Sequence, residues 1–199
     1  MLDQKRDRFK GLEHILGKTF SKLGLSPNHY TLLSIVAITV SFYFLAKLNL
    51  IFALIFSLFA GFLDLIDGAV ARSTGTATKK GAYLDTICDR YVEAIILLGF
   101  LFLPLPYVIL PSEIWILLSL TGSLMTTYSK AAAKEKELVV EELRGGLFSR
   151  AERMVCLSLS LILGIFNFSL MIYPLIILAI FSNLTALQRI YLSLNPSKN

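Results

Sequence analysis

The sequence is short of the residues that staple soluble folds. Its 199 positions include two cysteines, two histidines and one tryptophan. Cys88 and Cys156 cannot form a disulfide framework, and both read as reduced packing residues. Charge is scarce too: Asp, Glu, Lys and Arg make up 17%, against about 25% in an ordinary soluble chain. With 55% hydrophobic residues and a mean hydropathy of +0.69, this balance excludes a conventional soluble domain and indicates an integral membrane protein. The N-terminus lacks an apolar run of signal-peptide length, so no cleavable targeting segment is expected.

Six windows are long and apolar enough to suggest spans: 29–47, 50–71, 83–103, 113–131, 153–167 and 169–190. Turn-forming stretches separate them, among them "GLSPN" at 24–28 and "STGTATKKG" at 73–81. Ser26 before Pro27 fits an N-cap followed by proline at the first helical position. Pro174, inside the sixth window, predicts a kink. Ahead of these windows, Leu12, Ile15, Leu16, Thr19, Phe20 and Leu23 recur at helical spacing among lysines and arginines, which predicts an amphipathic interfacial helix. The expected fold is therefore all-α and polytopic. Residues 1–24 form the interfacial helix, and residues 25–199 form one six-helix membrane domain.

With both termini on one side of six spans, Lys47 is the only one of the 19 Lys and Arg residues on the far side. The positive-inside rule then puts the N- and C-termini in the cytoplasm of a multi-pass cell-membrane protein. The working face would be cytoplasmic.

Four acids interrupt this apolar background: Asp64 and Asp67, three apart, and Asp85 and Asp89, four apart. On helices each pair shares a face, and consecutive antiparallel helices let the pairs meet. At about 1.5 Å of rise per residue, Asp64 lies about 12 Å deeper than Arg72. Salt bridges to Arg72 and Arg90 are one account of these acids, but two cations cannot satisfy four carboxylates. An all-oxygen ligand set favours the hard ions Mg²⁺, Mn²⁺ or Ca²⁺, and four carboxylates suffice for two of them, as in phosphoryl chemistry. A small cation transporter also places acids in spans. It predicts acids near the midplane and a route to both faces, whereas these lie toward the basic side.

Residues 64–89 run Asp-x2-Asp-Gly-x2-Ala-Arg-x8-Gly-x3-Asp-x3-Asp, which resembles the signature of the CDP-alcohol phosphotransferase family at every fixed position. The resemblance implies cleavage of a CDP-linked lipid, transfer of its phosphate-bearing moiety to an alcohol, and release of CMP. It implies that Asp64, Asp67, Asp85 and Asp89 hold two Mg²⁺ or Mn²⁺ ions, and that Asp89 is also the base acting on the attacking hydroxyl. Asn28, Thr31, Gly68, Arg72 and Thr78 would contact the CDP group, while His29 reads as an interfacial residue. It further implies a homodimer in membrane lipid, with no nucleic acid partner.

A second cluster bears on the acceptor. Lys130, Lys134, Arg150 and Arg153 suit an anionic alcohol, because guanidinium forks match phosphate geometry; membrane-surface charge is the other account. "TYSKAAAKE" and "GGLFSRAER" resemble the branch of the family that uses inositol phosphate, through Tyr128, Lys130, Ala131, Ala133, Arg150, Glu152 and Arg153. Ala132 and Lys134 depart from that branch, which has arginine and glutamate there. Arg189 is a further candidate. The resemblance thus implies transfer from CDP-archaeol or CDP-diacylglycerol to myo-inositol 1-phosphate. Glycerol 3-phosphate, serine or a soluble inositol-phosphate pair are the alternatives. Glu93, one turn beyond Asp89, is expected to hydrogen-bond to a neighbouring span.

Overall fold

A computed structural model describes residues 10–139 and 146–195. The described residues form helices α1 (Lys10–Ser21), α2 (Pro27–Ala46), α3 (Leu50–Ser73), α4 (Lys79–Phe100), α5 (Ser112–Glu135), α6 (Arg150–Phe166) and α7 (Ile172–Leu194), with a 3-10 turn at Phe168–Met171. Lys5, Arg6 and Arg8 of the expected interfacial helix lie outside the described residues.

Local chemistry sets the helix starts. Ser26 caps α2 with Pro27 behind it, and its backbone N–H donates to His29 Nδ1 at 3.1 Å, which makes His29 a capping residue. Asn49 accepts from the Phe52 N–H to open α3. Thr78 accepts from the Gly81 N–H at 3.0 Å to open α4. Ser149 and Glu152 form a capping box at α6, with the Ser149 N–H donating to Glu152 Oε2 at 2.6 Å.

Two expectations change. Six windows suggest six spans, and six long helices follow α1. Among the described residues, however, only Pro27–Ala46, Leu50–Ser73 and Phe168–Leu194 are long and apolar enough to cross a membrane by length and composition. Helix α4 carries Lys79, Lys80, Asp85, Asp89, Arg90 and Glu93 in its first two-thirds. Helix α5 ends in a lysine-containing polar segment, and α6 has 17 residues, about 26 Å of rise against a hydrocarbon core of about 30 Å. Nor does Pro174 kink a long helix. The 3-10 turn gives way to α7 at Ile172, so Pro174 occupies the first turn, where its missing N–H has no partner in the helix ladder to lose.

The chain divides into two compact units, one running to Leu103 and the other from Pro104. In the first, α3 and α4 each pack along α2, and α1 packs on α3; α3 and α4 do not pack closely on each other. Small groups allow close approach: Ser41 Oγ of α2 donates to the Ala53 carbonyl of α3 at 2.7 Å, and a Cβ on Gly99 would strike Leu45. In the second unit, α5 packs along α7 and α6 joins α7. Thr126 Oγ1 of α5 donates to the Ser182 carbonyl at 3.0 Å, and Asn183 Nδ2 of α7 donates to the Leu118 carbonyl at 2.8 Å. Trp115 anchors the loop ahead of α5 by donating its indole N–H to the Val108 carbonyl at 2.9 Å.

Candidate active site

Because α3 and α4 pack on α2 and not on each other, a gap opens between them, and the acids meet across it. Carboxylate oxygens of Asp64, Asp67 and Asp85 lie within 4.8 Å of one another. Like charges at this separation repel. An all-oxygen donor set, partly buried and held by two helices, fits a hard divalent cation. Asp67 is the buried member, and Thr31 Oγ1 of α2 donates to its Oδ2 at 2.7 Å. Asp89 lies outside that group of three. Arg90 Nη2 stands 3.9 Å from Asp89 Oδ2, and Arg90 Nη1 donates to Glu93 Oε2 at 2.8 Å. Glu93 thus accepts from Arg90 on its own helix.

Above the acids lies a cleft of about 350 Å³, lined by Asn28 and Thr31 of α2, Gly68 and Arg72 of α3, and Thr78, together with Asp67 and Asp85. The structure thus brings all five expected CDP contacts to one cavity. The Arg72 guanidinium folds back over Gly68, where a Cβ would come within 2.9 Å of its Nη1. Arg72 Nη2 is held 3.1 Å from Glu13 Oε2 of α1. Asn28 Oδ1 and Thr78 Oγ1 both stand over Gly81, 3.4 and 3.2 Å from where its Cβ would lie. A side chain at 68 or 81 would fill the cleft wall.

The basic cluster belongs to the second unit. Lys130 is half-buried near the end of α5 and Lys134, one turn on, is exposed. Arg150 and Arg153 occupy the first turn of α6, and Arg153 is only 2% exposed. Arg189 of α7 donates from Nη1 to the Thr126 carbonyl at 2.6 Å, one turn before Lys130. The loop into α6 is held against α7: the Leu147 N–H donates to Gln188 Oε1 at 3.1 Å, and Gly146, at φ 148°, lies beside Thr185 and Arg189.

Residues 25–187 match the CDP-alcohol phosphatidyltransferase family. The chain belongs to that family. It is 32% identical to the archaetidylinositol phosphate synthase of Pyrococcus horikoshii, over 96% of this chain and 95% of that protein. In fold it is similar to the phosphatidylinositol phosphate synthase of Mycobacterium tuberculosis. The crystal structure of that protein with CDP-DAG bound gives a TM-score of 0.77 at 24% identity, covering 91% of this chain and 92% of that one. Its structure in complex with manganese and citrate gives 0.77 at 24%, covering 91% and 88%.

Within this CDP-alcohol phosphatidyltransferase, some residues of the cleft escape a reading of the sequence. Ser26, Pro27, Thr76 and Ala77 line it alongside the expected contacts. Thr31, expected as a CDP contact, is also the donor that orients Asp67, 36 positions away in sequence. Glu13 went unread, since nothing in helical spacing pairs it with Arg72. Proline and threonine around a turn are too common to signal a cleft; the available signs were that Thr76 and Ala77 lie within residues 64–89 and that Ser26 and Pro27 directly precede Asn28.

Proposed function

We propose that this protein transfers the phosphate-bearing moiety of a CDP-linked lipid to myo-inositol 1-phosphate and releases CMP. One observation carries the reading: the three-aspartate cluster opens into a cleft lined by Asn28, Thr31, Gly68, Arg72 and Thr78. Asp64, Asp67 and Asp85 would hold Mg²⁺ or Mn²⁺, with Asp89 contributing to a second ion. Divalent cations bound there would supply positive charge for the pyrophosphate oxygens as CMP departs. Thr31 holds Asp67 in its ligating rotamer, and Arg72 presents guanidinium N–H donors to the same anion. Asp89 takes the proton from the acceptor hydroxyl. Lys130, Lys134, Arg150, Arg153 and Arg189 bind the acceptor phosphate. The likeness to the archaetidylinositol phosphate synthase supports the acceptor assignment.

The same reading has α4, α5 and α6 cross the bilayer with the other three, their polar turns facing protein or the cleft in place of lipid. Residues 25–199 then act as one membrane domain behind an interfacial helix, with both termini and the site cytoplasmic. Homodimerisation rests on the family resemblance alone. The deciding experiment supplies the purified protein with Mn²⁺ or Mg²⁺, CDP-archaeol or CDP-diacylglycerol, and a panel of alcohols, and measures CMP. Release with inositol 1-phosphate is expected. Release with serine or glycerol 3-phosphate in its place overturns the acceptor, and no release with any alcohol overturns the enzyme reading.

A further inference from the structure

The ion pair between Glu13 and Arg72 joins the N-terminal helix to the wall of the cleft. Helix α1 lies against α3 by a specific face. At Gly17 a Cβ would strike the Ala69 carbonyl and the Ser73 side chain, so the backbones touch with no room for any other residue. Three positions further, Phe20 packs edge-on against Phe62 of α3, with ring centroids 5.9 Å apart, and its carbonyl accepts from the Tyr30 hydroxyl of α2 at 2.9 Å. Ile15 is 62% exposed. Glu13 lies one turn before Gly17, so the docking of α1 aims its carboxylate at the end of α3, 3.1 Å from Arg72 Nη2.

The Arg72 side chain is 45% exposed and, left to itself, would lose rotamer freedom on meeting a ligand. The carboxylate takes one edge of the planar guanidinium, while Gly68 beneath it leaves the space into which the group folds. A guanidinium has five N–H donors, so one engaged edge still leaves others for an anion in the cleft.

We propose that Glu13 is a positioning residue for the CDP site: docked α1 holds Arg72 over the cleft in the orientation that receives the pyrophosphate. This rests on the reading of the cleft as a CDP-lipid site. The ion pair is partly exposed, and pairs of this kind change an equilibrium by about two- to fivefold.

The test uses the full-length protein in detergent and measures CDP affinity by calorimetry with Mn²⁺ present, KM for CDP-diacylglycerol and for inositol 1-phosphate, and thermal stability. Glu13→Gln is expected to weaken CDP binding about two- to fivefold and to raise the KM for CDP-diacylglycerol by a like factor. It should leave the KM of the acceptor and the melting temperature unchanged, and Glu13→Asp should recover part of the loss. Gly17→Leu, which pushes α1 off α3, should reproduce the CDP defect. Combined with Arg72→Ala, Glu13→Gln should add nothing further. A lowered melting temperature with unchanged CDP affinity in Glu13→Gln overturns the proposal and leaves Glu13 a docking contact; full additivity with Arg72→Ala also overturns it. If the wild-type protein does not bind CDP, the reading of the cleft itself falls.

Discussion

The two units differ in how they assemble their charged residues. In the first, the acids and most of the cleft come from one stretch of 26 residues, 64–89, folded as two helices around a turn. In the second, the basic residues come from three helices and span Lys130 to Arg189. The first site is local, and its polar groups hold one another: Thr31 on Asp67, Glu13 on Arg72, Thr78 on the start of α4. The second depends on helix packing, with Arg189 donating to the Thr126 carbonyl and the loop into α6 held by Gln188. A local site is written in spacing. A dispersed one is written in packing, which spacing does not reveal.

The sharpest way to break the comparison is to remove a buried acid. Asp67→Asn should lower CMP release by about a thousandfold or more, since an interaction required for phosphoryl transfer is lost; steady-state assay at saturating substrates checks it. Chelation with EDTA should abolish release to the same extent, with recovery on adding Mg²⁺ or Mn²⁺. In the second unit, Arg153→Ala should raise the KM for inositol 1-phosphate about tenfold and leave the KM for the CDP-lipid unchanged. The change is read from two substrate titrations; equal changes in both would show that the division of labour is wrong.

Thr31→Val keeps the shape but deletes the donor to Asp67. It should weaken Mn²⁺ binding about tenfold, measured by calorimetry, without altering acceptor KM. Two further substitutions test the packing on which the second site rests. Gly122→Leu places side-chain atoms against Ser182 and Asn183 of α7 and should destabilise the fold by about 1–3 kcal/mol. Ser149→Ala removes one half of the α6 capping box and should cost about 1 kcal/mol. Thermal unfolding in detergent orders the two.

The helices themselves were largely legible. Each of the six apolar windows lies within four residues of an observed helix boundary, because turn residues such as "GLSPN" and the Asn49 and Thr78 caps punctuate apolar runs. Charge within α4 and the short α6 were harder to weigh, since a polar face turned toward protein has the same composition as one turned toward lipid. Pro174 misled for a related reason. Proline within an apolar window looks like a kink, yet a 3-10 turn before it makes it the first turn of a new helix.

Alone, the order of amino acids determined the apolar helical character and the pairing of acids on helix faces, because helical period and hydropathy are properties of neighbouring residues. The family resemblance pointed to the five cleft contacts, Gly68, Arg72 and Thr78 within residues 64–89 and Asn28 and Thr31 where the chain enters the first apolar window. Only the tertiary structure decided that Asp64, Asp67 and Asp85 meet while Asp89 lies outside their group, that Thr31 supports Asp67, that Glu93 turns to Arg90 and that Glu13 reaches Arg72. Period states which face of a helix a residue occupies. Which side chain stands opposite depends on how α3 and α4 pack on α2 and α1 on α3, and that is set by glycine contacts and interlocking hydroxyls between distant segments.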